Sequence, residues 1–369
     1  MNHALPRQFS PNEAAAETRC EPGIPSWAPA ALEALYGNLY ACLTQFEIGF
    51  GLSGLHTYSV RTGGQLCTLL MFRLRGHRAE VCNEVIAIGT DEVAAFDAYV
   101  FAHFPQVRVV AWRAVHTPPQ RQAAASQYYD YLEDTIITLP ASAEAYFASL
   151  SKNTRRNLQR QERWGRTELA GFRICVRRCA DIDPEQAKAV IALNHARMEF
   201  KHKQSGIDAE ETARILRLVR ERGMMVWIEV DGKVAAGALG ATVGRNFFLM
   251  VLAHDPAYNA YGLGILCCYR AICESIADGC AEFHFLWGLY DYKRSFLGAP
   301  RALYRLLVYR SRMAQLAEAP LAFAAWRHSA RRRLLAWLKE QDRKDAAMAR
   351  ALRTARERLL RLRGARQPT

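Results

Sequence analysis

The sequence predicts an α+β chain with two similar, twisted and mostly antiparallel sheets flanked by helices, followed by a basic helical C-terminal extension. Three observations lead to this fold class. One order of segments occurs twice along the chain: strand, turn, strand, turn, strand, helix, strand. A glycine loop separates the third strand from the helix in the second copy alone. The net charge, +13 over 369 residues, is concentrated at the C-terminal end.

The first copy is assigned to residues 26–139. It follows a stretch, 1–25, that is rich in Pro, Ala and Glu and is expected to be disordered. Its predicted elements are a helix over 28–46, strands over 56–60, 66–74 and 81–88, a helix over 91–104 with Thr90 as N-cap, and a strand over 107–112. Gly63-Gly64 is a hairpin signal between the first two strands.

The second copy is assigned to residues 140–311. Its predicted elements are a basic helix capped by Ser151, helices over 184–201 and 209–222, strands over 225–230, 234–243 and 247–252, a helix that opens after Gly264, and a strand over 283–287. A polar cluster, Tyr290 to Lys293, follows the last strand. The layout of strand, glycine loop, helix, strand and polar cluster is typical of a phosphate site beside a reaction centre.

The two copies differ where the helix after the third strand begins. The second copy has Gly262-Leu263-Gly264 there, and the first has Asp91. A helix N-terminus attracts a phosphate through its dipole and its free N–H groups, and an acidic side chain opposes that attraction. We therefore expect the second copy to bind a phosphorylated ligand, and the first to be scaffold or a wall of the acceptor site.

Three segments of the second copy resemble the GNAT acyltransferase superfamily. They are SKNTRRNLQRQERW at 151–164, LNHARMEF at 193–200, and the run 246–298 that contains YDYKRSF. The combination is most similar to the CelD/BcsL-like acetyltransferases linked to cellulose and exopolysaccharide synthesis. These are relatives of the Fem-type aminoacyl transferases, which carry tandem GNAT folds. In one respect the chain departs from the pattern, because Asn259 stands where the GNAT pyrophosphate loop has Gln or Arg.

The resemblance implies tandem GNAT-like domains and acyl transfer from acetyl-CoA or another acyl-CoA to an amine or hydroxyl, with no metal. The acceptor would be a sugar, a glycan or a related metabolite. The residues that it assigns to the donor are Val251, Leu252, Tyr261, Gly262, Leu263, Gly264 and Ile265. The last five would offer amides to the pyrophosphate, and a backbone N–H near the first two would polarise the thioester oxygen.

Four side chains are the catalytic candidates: Lys293, Tyr292, His195 and Glu199. His195 is the candidate base, with Glu199 four residues on and on the same helical face. Tyr292 is the candidate acid for the leaving thiolate, and Tyr290 is its alternative. Lys293 would orient the acceptor, neutralise a phosphate or stabilise the oxyanion, and its alternative is a surface ion pair with Asp291.

Four further side chains are assigned to substrate binding: Arg155, Arg156, Arg197 and Asp291. Arg155 and Arg156 lie on the basic helix after Ser151 and would contact an acidic acceptor or the adenosine phosphate. The alternative for both is a solvated helix face. Arg197 belongs to the segment that resembles the family's Leu-x-His-x-Arg stretch, and Asp291 belongs to the polar cluster.

Composition predicts where in the cell the protein is located. No run of about 18 apolar residues predicts a transmembrane helix, and the N-terminus lacks the apolar core of a secretory signal. The ten cysteines contain no CxxC pair, which favours reduced thiols and disfavours a metal site. A cytoplasmic protein is expected, or one that lies peripherally at the inner membrane.

Residues 312–369 hold 15 Lys and Arg against 5 Asp and Glu, a net charge of +10. The remaining +3 leaves the body almost neutral, which argues against a nucleic-acid-binding core. This extension is expected to be helical, and its apolar spacing at Met348, Leu352, Ala355, Leu359 and Leu362 suits an anionic membrane surface. The alternatives are a helical hairpin packed on the body and an extension that binds nucleic acid.

Two other functions remain open from the sequence. One is aminoacyl transfer from a charged tRNA, as in the Fem-type relatives, which the basic extension favours and the Gly-x-Gly loop disfavours. The other is a catalytically lapsed module that acts as an adaptor in a membrane or polysaccharide complex, which Asn259 permits.

Overall fold

The computed structural model describes residues 16–118, 125–200, 205–288 and 290–344. Within these ranges, twelve strands form one continuous mixed sheet with helices on its faces, and the predicted α+β class is confirmed. The strands are β1 (Ala16–Pro22), β2 (Leu55–Thr62), β3 (Gln65–Arg75), β4 (Arg78–Val81), β5 (Val109–Val115), β6 (Ser126–Thr138), β7 (Arg173–Arg178), β8 (Gly223–Val230), β9 (Lys233–Val243), β10 (Asn246–His254), β11 (Glu282–His284) and β12 (Ala299–Tyr309).

Eleven α-helices are found in the same ranges. They are α1 (Ala28–Tyr36), α2 (Leu43–Phe50), α3 (Thr90–His103), α4 (Ala143–Ser149), α5 (Lys152–Glu168), α6 (Pro184–Phe200), α7 (Ala209–Arg222), α8 (Leu263–Ala277), α9 (Asp291–Ser295), α10 (Arg312–Ala317) and α11 (Ala319–Lys344). None of these helices is long and apolar enough to cross a membrane.

Two predictions for the N-terminal region are wrong. Disorder was expected through residue 25, but Ala16–Pro22 forms β1, which pairs antiparallel with β2 along its whole length. The single helix expected over 28–46 is interrupted, because Gly37 takes a left-handed conformation (φ 50°) and ends α1. The Asn38 side chain then accepts a hydrogen bond from the Tyr40 amide and starts a separate one-turn 3₁₀ helix.

The sheet joins the two copies through strands that the sequence analysis missed. The spatial order is β1-β2-β3-β4-β5-β12-β6-β11-β10-β9-β8-β7. Strand β6 lies in the sequence of the first copy but pairs with β11 of the second. Strand β12 comes from the end of the second copy and pairs with β5 of the first and with β6. Each copy therefore completes the sheet of the other.

Each copy has its own hydrophobic core. In the first, α1 and α3 cover the strands and bury Leu32, Phe96 and Trp112 completely. In the second, α8 and α5 cover one face, where Leu263 and Phe283 are fully buried. Helices α6 and α7 cover the other face with residues such as Val190.

The predicted helical extension is found as far as Lys344, where α10 and α11 follow β12. The small residues Ala325 and Ser329 of α11 are buried against the body. Arg332 forms an ion pair with Glu133 of β6 and donates to the Tyr131 carbonyl at 3.2 Å. The apolar spacing from Met348 to Leu362 lies outside the described residues.

Candidate active site

Strands β10 and β11 separate in the middle of the second copy and leave a wedge between them. They pair in parallel only from Asn246 to Phe248 of β10. After that, Phe285 turns to the other neighbour, and its amide donates to the Thr135 carbonyl of β6 at 2.8 Å. Backbone groups at the far end of β10 are thereby left facing an opening rather than a paired strand.

A β-bulge marks the start of the wedge. The register between β10 and β9 shifts between Leu249 and Val251, which places Met250 at the bulge. A bulge turns backbone groups away from the regular ladder and commonly lies next to active sites. This is the stretch in which the sequence analysis placed the thioester-polarising N–H. Val251 is buried and Leu252 is half-buried.

Helix α8 begins at the end of β10. Gly262 is its N-cap and has φ 65°, a left-handed conformation that glycine adopts without steric cost. The amides of Ile265 and Leu266 both donate to the Gly262 carbonyl, and the first turn contains no acidic residue. The helix dipole and the first-turn amides can therefore act on an anion.

Side chains surround the two glycines of this loop closely, and the left-handed φ of Gly262 favours glycine there. A Cβ on Gly262 would lie 2.1 Å from Gln161 Nε2, and one on Gly264 would lie 2.9 Å from His254 Nδ1. His254 Nε2 is 2.8 Å from Asn259 Oδ1, so the residue that departs from the GNAT pattern is held by a neighbouring side chain. Sequence analysis missed Gln161, because α5 approaches the loop only in the folded chain.

Helix α5 brings positive charge beside this loop and packs against α8. Ser151 caps it as predicted, and the hydroxyl accepts from the Thr154 amide at 3.1 Å. The helix has six basic and two acidic residues, a net charge of +4. Arg156 is exposed and Arg155 half-buried, so the helix is a positively charged neighbour for phosphates at the glycine loop.

Lys293 is buried rather than paired at the surface, and only 2% of the residue is exposed. Its Nζ donates to the carbonyl oxygens of Phe285, Leu286 and Trp287 at 3.1, 3.0 and 2.7 Å. The alternative of a surface ion pair with Asp291 is therefore wrong. Burial lowers the pKa of Lys293 to about 8.

The three carbonyls that Lys293 holds belong to the segment that forms one side of the wedge. Leu286 within it has φ 56°, a left-handed conformation that is costly for a branched side chain. An ammonium group has three N–H donors, and all three are used on this segment. The contacts make Lys293 a positioning residue that fixes the chain after β11.

Tyr292 lies within electrostatic reach of Arg197, and its ring packs edge-on against Phe285 with centroids 5.9 Å apart. Burial, with the Cys268 thiol, raises the pKa of Tyr292 above its usual value, and the nearby Arg197 charge acts in the opposite direction. Arg197 Nη1 donates to the Leu252 carbonyl at 3.3 Å. Among the described residues, no acceptor contacts the buried Arg197 Nε. A protonated phenol and a guanidinium are thus brought to the end of β10.

The structure does not bring His195 and Glu199 into this group. Both are exposed on α6. His195 is two positions from Arg197 and therefore about 200° around the helix from it. Within the described residues, no hydrogen bond or ion pair joins either side chain to Tyr292 or Lys293. Asp291 is exposed in the first turn of α9, and Tyr290 is 56% exposed with its ring stacked on Tyr292 at 6.1 Å.

A buried charge network lies behind the wedge. His284 Nδ1 of β11 is 2.6 Å from Asp134 Oδ2 of β6, and both side chains are almost fully buried. On its other side, His284 Nε2 is 3.2 Å from Glu282 Oε2, and Glu282 Oε1 accepts from Arg301 of β12 at 2.9 Å. Burial opposes the charged imidazole, but Asp134 and Glu282 outweigh it and raise the pKa of His284. The sequence feature that could have indicated this network is an ionisable residue, His284, within an apolar strand.

A cavity of about 380 Å³ adjoins the wedge where the two copies meet. Tyr40 of the first copy and Trp287 of the second form one wall, with ring centroids 5.2 Å apart, and Met250 at the bulge packs against the same buried cluster as these two rings. The remaining polar lining comes mostly from α7 and includes Asp208, Glu210, Glu211 and Arg214. Arg214 pairs with Glu211 and donates to Gln45 Oε1 of the first copy at 2.9 Å. Because its lining comes from both copies, no sequence pattern within one copy could predict this cavity.

The wedge lies in a region that is similar to a described domain family. Residues 152–294 match the sequence model of a family described as an acetyltransferase (GNAT) domain. This range contains the bulge, the glycine loop and the polar cluster. A search of the curated proteins found no match.

Solved structures show the fold. The chain is similar to FemX, with a TM-score of 0.57, 9% identity, and coverage of 82% of this chain and 99% of FemX. A tandem GNAT protein of the clavulanic acid biosynthesis pathway matches with a TM-score of 0.43 and 12% identity over 79% of this chain and 98% of that one. L-PGS from Bacillus licheniformis matches with a TM-score of 0.47 and 12% identity over 79% and 93%. The architecture is GNAT-like.

Proposed function

We propose that the chain is an acyl-CoA-dependent acyltransferase of the CelD/BcsL-like kind, which transfers acetyl to an amine or hydroxyl of a sugar, glycan or related metabolite in polysaccharide synthesis. One observation carries the proposal. In the second copy, a bulged strand separates from its parallel neighbour and leads, through a left-handed glycine, into a helix N-terminus without acidic residues. This arrangement offers backbone N–H groups to a thioester and to a pyrophosphate at once.

The residues around the glycine loop fit a coenzyme A pyrophosphate. Gly262 and Gly264 carry no Cβ, so the backbone of the loop is covered by the ends of the Gln161 and His254 side chains. Within the described residues, Gln161 Oε1 is buried with no hydrogen-bond donor, so its amide can rotate without breaking a hydrogen bond at that oxygen. An acyl-CoA would supply the thioester, and Arg155 and Arg156 of the adjoining helix would lie near its phosphates.

The side chains divide into positioning and reacting groups. Lys293 fixes the segment from Phe285 to Trp287 and so sets the width of the wedge. Tyr292 stays protonated at neutral pH, because burial raises its pKa, and can donate its proton to a leaving thiolate. His195, with Glu199, is the base predicted from the sequence, but both are exposed on α6. We propose instead that an acceptor amine binds as its ammonium form and loses its proton to water before it attacks the thioester.

The acceptor site is proposed to be the cavity between the copies. Its aromatic wall, Tyr40 and Trp287, suits an apolar or sugar-ring face. The cavity carries the carboxylates of Asp208, Glu210 and Glu211 against the single guanidinium of Arg214. This balance favours a cationic acceptor, such as an amino sugar, over an anionic one.

The decisive experiment is thermal unfolding with and without acetyl-CoA. A ligand present at 100 times its Kd stabilises a protein by about 2.7 kcal/mol, which gives a clear rise in Tm. We expect that rise with acetyl-CoA and a smaller one with 3′-phosphoadenosine 5′-diphosphate, which carries the phosphates but lacks the thioester arm. No rise at millimolar acetyl-CoA would exclude the proposed donor and leave the adaptor function. A rise without turnover of any amine would point to a lapsed enzyme.

Aminoacyl transfer from a charged tRNA is the second candidate. Two observations favour it: the fold similarity to FemX over 99% of that chain, and the Gln161 side chain that lies against the glycine loop. A Tm rise with aminoacyl-tRNA, and none with acetyl-CoA, would select this candidate over the first.

A further inference from the structure

The C-terminal helices carry most of the exposed large hydrophobic side chains of the molecule. Among the described residues, eleven such side chains are exposed, and six of them belong to α10 and α11. These six are Met313, Leu316, Phe323, Trp326, Leu334 and Trp337, with exposed fractions between 50% and 73%. Single apolar residues scattered over a protein surface are normal, but a group of them on adjoining helices is typical of an interaction site.

On α11 these residues form a single stripe. At 100° per residue, Phe323, Trp326, Leu334 and Trp337 all fall within a sector of about 80°. The rings of Phe323 and Trp326 stack with centroids 5.6 Å apart. We call these four residues the aromatic stripe. The opposite face of the helix is seated on the body through the buried Ala325 and Ser329 and the Arg332–Glu133 ion pair. The aromatic stripe therefore faces away from the body.

Basic residues border the stripe. Arg327, Arg331 and Arg333 are all exposed on α11. In sequence, α11 has seven basic and two acidic residues, a net charge of +5, and residues 345–369 repeat that balance with seven Arg against two acids. An apolar aromatic stripe bordered by arginines is the pattern of helices that lie in the interface of an anionic bilayer.

We infer that the aromatic stripe of α11 docks on an anionic lipid surface. The net charge of each candidate partner decides which of them covers the stripe. A second copy of α11, or the segment 345–369 folded back on it, would bring like charges together at +5 each, which is unfavourable. Anionic headgroups are complementary to both segments. The stripe buries its rings at the acyl boundary, and the arginines reach the headgroups.

The full-length chain tests this with vesicles. We expect cosedimentation with equimolar phosphatidylglycerol and phosphatidylcholine vesicles, weak binding to phosphatidylcholine alone, and a blue shift of tryptophan fluorescence on binding. The triple variant Phe323→Ser, Trp326→Ser, Trp337→Ser should lower the partition coefficient at least about tenfold. Arg327→Gln should lower it about fivefold at low salt. Trp27→Ser, at a tryptophan exposed to 37% on the first copy, is the matched control and should bind as wild type.

Three results would overturn the inference. Unchanged vesicle binding by the triple variant would assign lipid binding to residues 345–369 alone. A lipid-free dimer that the triple variant abolishes would assign the stripe to a second copy. Tryptophans already shielded from acrylamide in the lipid-free monomer, with a lower Tm in the triple variant, would assign it to the chain's own C-terminal segment. Acyl-CoA binding, measured in parallel, should be the same for all variants.

Discussion

The two copies share an order of elements but differ at the point where each helix begins. In the first copy, Gly89 caps α3 with an extended backbone, and the Glu92 carboxylate accepts from the Gly89 amide at 2.9 Å. In the second copy, Gly262 caps α8 in a left-handed conformation with no acidic residue in the first turn. One helix satisfies its own N-terminus, and the other leaves it for a ligand.

The strands next to these helices show the same contrast. In the first copy, the segment after β4 returns to the end of β5, with Val85 donating to Ala114 at 2.7 Å and His116 donating to Ile86 at 2.8 Å. In the second copy, β10 and β11 separate after three residue pairs. Backbone hydrogen bonds close the gap between the corresponding strands of the first copy, whereas the gap between β10 and β11 stays open. At this position the two copies therefore differ by a few backbone hydrogen bonds.

The largest expected effect is on turnover. Tyr292→Phe should lower kcat about 10²–10⁴-fold, because it removes the proposed proton donor at the open wedge. Tyr290→Phe separates the two tyrosines that the sequence left open and should change kcat little. The matched control in the first copy is Tyr128→Phe, whose hydroxyl donates to the Thr117 carbonyl at 2.6 Å. Steady-state kinetics with acetyl-CoA would measure all three, and equal losses in Tyr292→Phe and Tyr128→Phe would remove the contrast between the copies.

The next effect concerns stability at the junction of the copies. Asp134→Asn removes the closer and more deeply buried of the two anions of His284 and should cost about 3–5 kcal/mol of unfolding free energy. Because the pKa of His284 is raised in the folded state, its contribution is complete below the unfolded pKa of about 6.5. It is lost as the pH rises through the folded value. The deficit of the variant should therefore be larger at pH 5.5 than at pH 9.

A buried acid of the first copy supplies the control for that measurement. Asp97 accepts from Trp112 Nε1 at 3.0 Å, and burial raises its pKa well above the usual value. Burial thus favours the neutral acid over the carboxylate, so Asp97→Asn, which keeps an oxygen acceptor for Trp112, should cost less than Asp134→Asn at neutral pH. Urea denaturation at the two pH values would show whether the two buried acids differ in this way.

A smaller effect is expected at the glycine loop. Gly264→Glu places an acid where the proposed pyrophosphate lies and should weaken acetyl-CoA binding about a hundredfold through like-charge repulsion. At the corresponding helix position of the first copy, Asp91→Asn should leave the Kd unchanged. Calorimetric titration gives both values, and a Tm without ligand shows whether each variant folds. Binding that survives in Gly264→Glu would move the donor site elsewhere.

The smallest expected effect is that of replacing His195, the base predicted from the sequence. His195→Gln should change kcat/KM less than about tenfold, since His195 is exposed on α6 and lies about 200° around the helix from Arg197. A loss near the 10²–10⁴-fold range of a positioned base, together with loss of the acidic limb of the pH profile, would restore the role that the sequence predicted.

Local patterns predicted the elements of both copies closely where the apolar period was strong. Helix α7 was predicted at Ala209–Arg222 and is found there, and Ser151 caps α5 as expected. The glycine loop followed from residue type and position alone, because only glycine takes φ 65° before a helix without strain. Strand β6 was missed, since its residues from Ser126 to Glu133 alternate weakly and carry charge.

Sequence by itself therefore determined the fold class, the repeat, the asymmetry between Asp91 and Gly264, and the basic extension, since each depends on neighbours along the chain. Tertiary structure decided the rest. The buried Lys293 side chain donates to backbone carbonyls, and Gln161 lies against the glycine loop. Tyr40 packs on Trp287 at a cavity between the copies. Two of these three contacts join residues more than a hundred positions apart in the chain, and the Tyr40–Trp287 contact joins the two copies. That contact depends on how β6 and β12 join the two sheets, which no local period encodes.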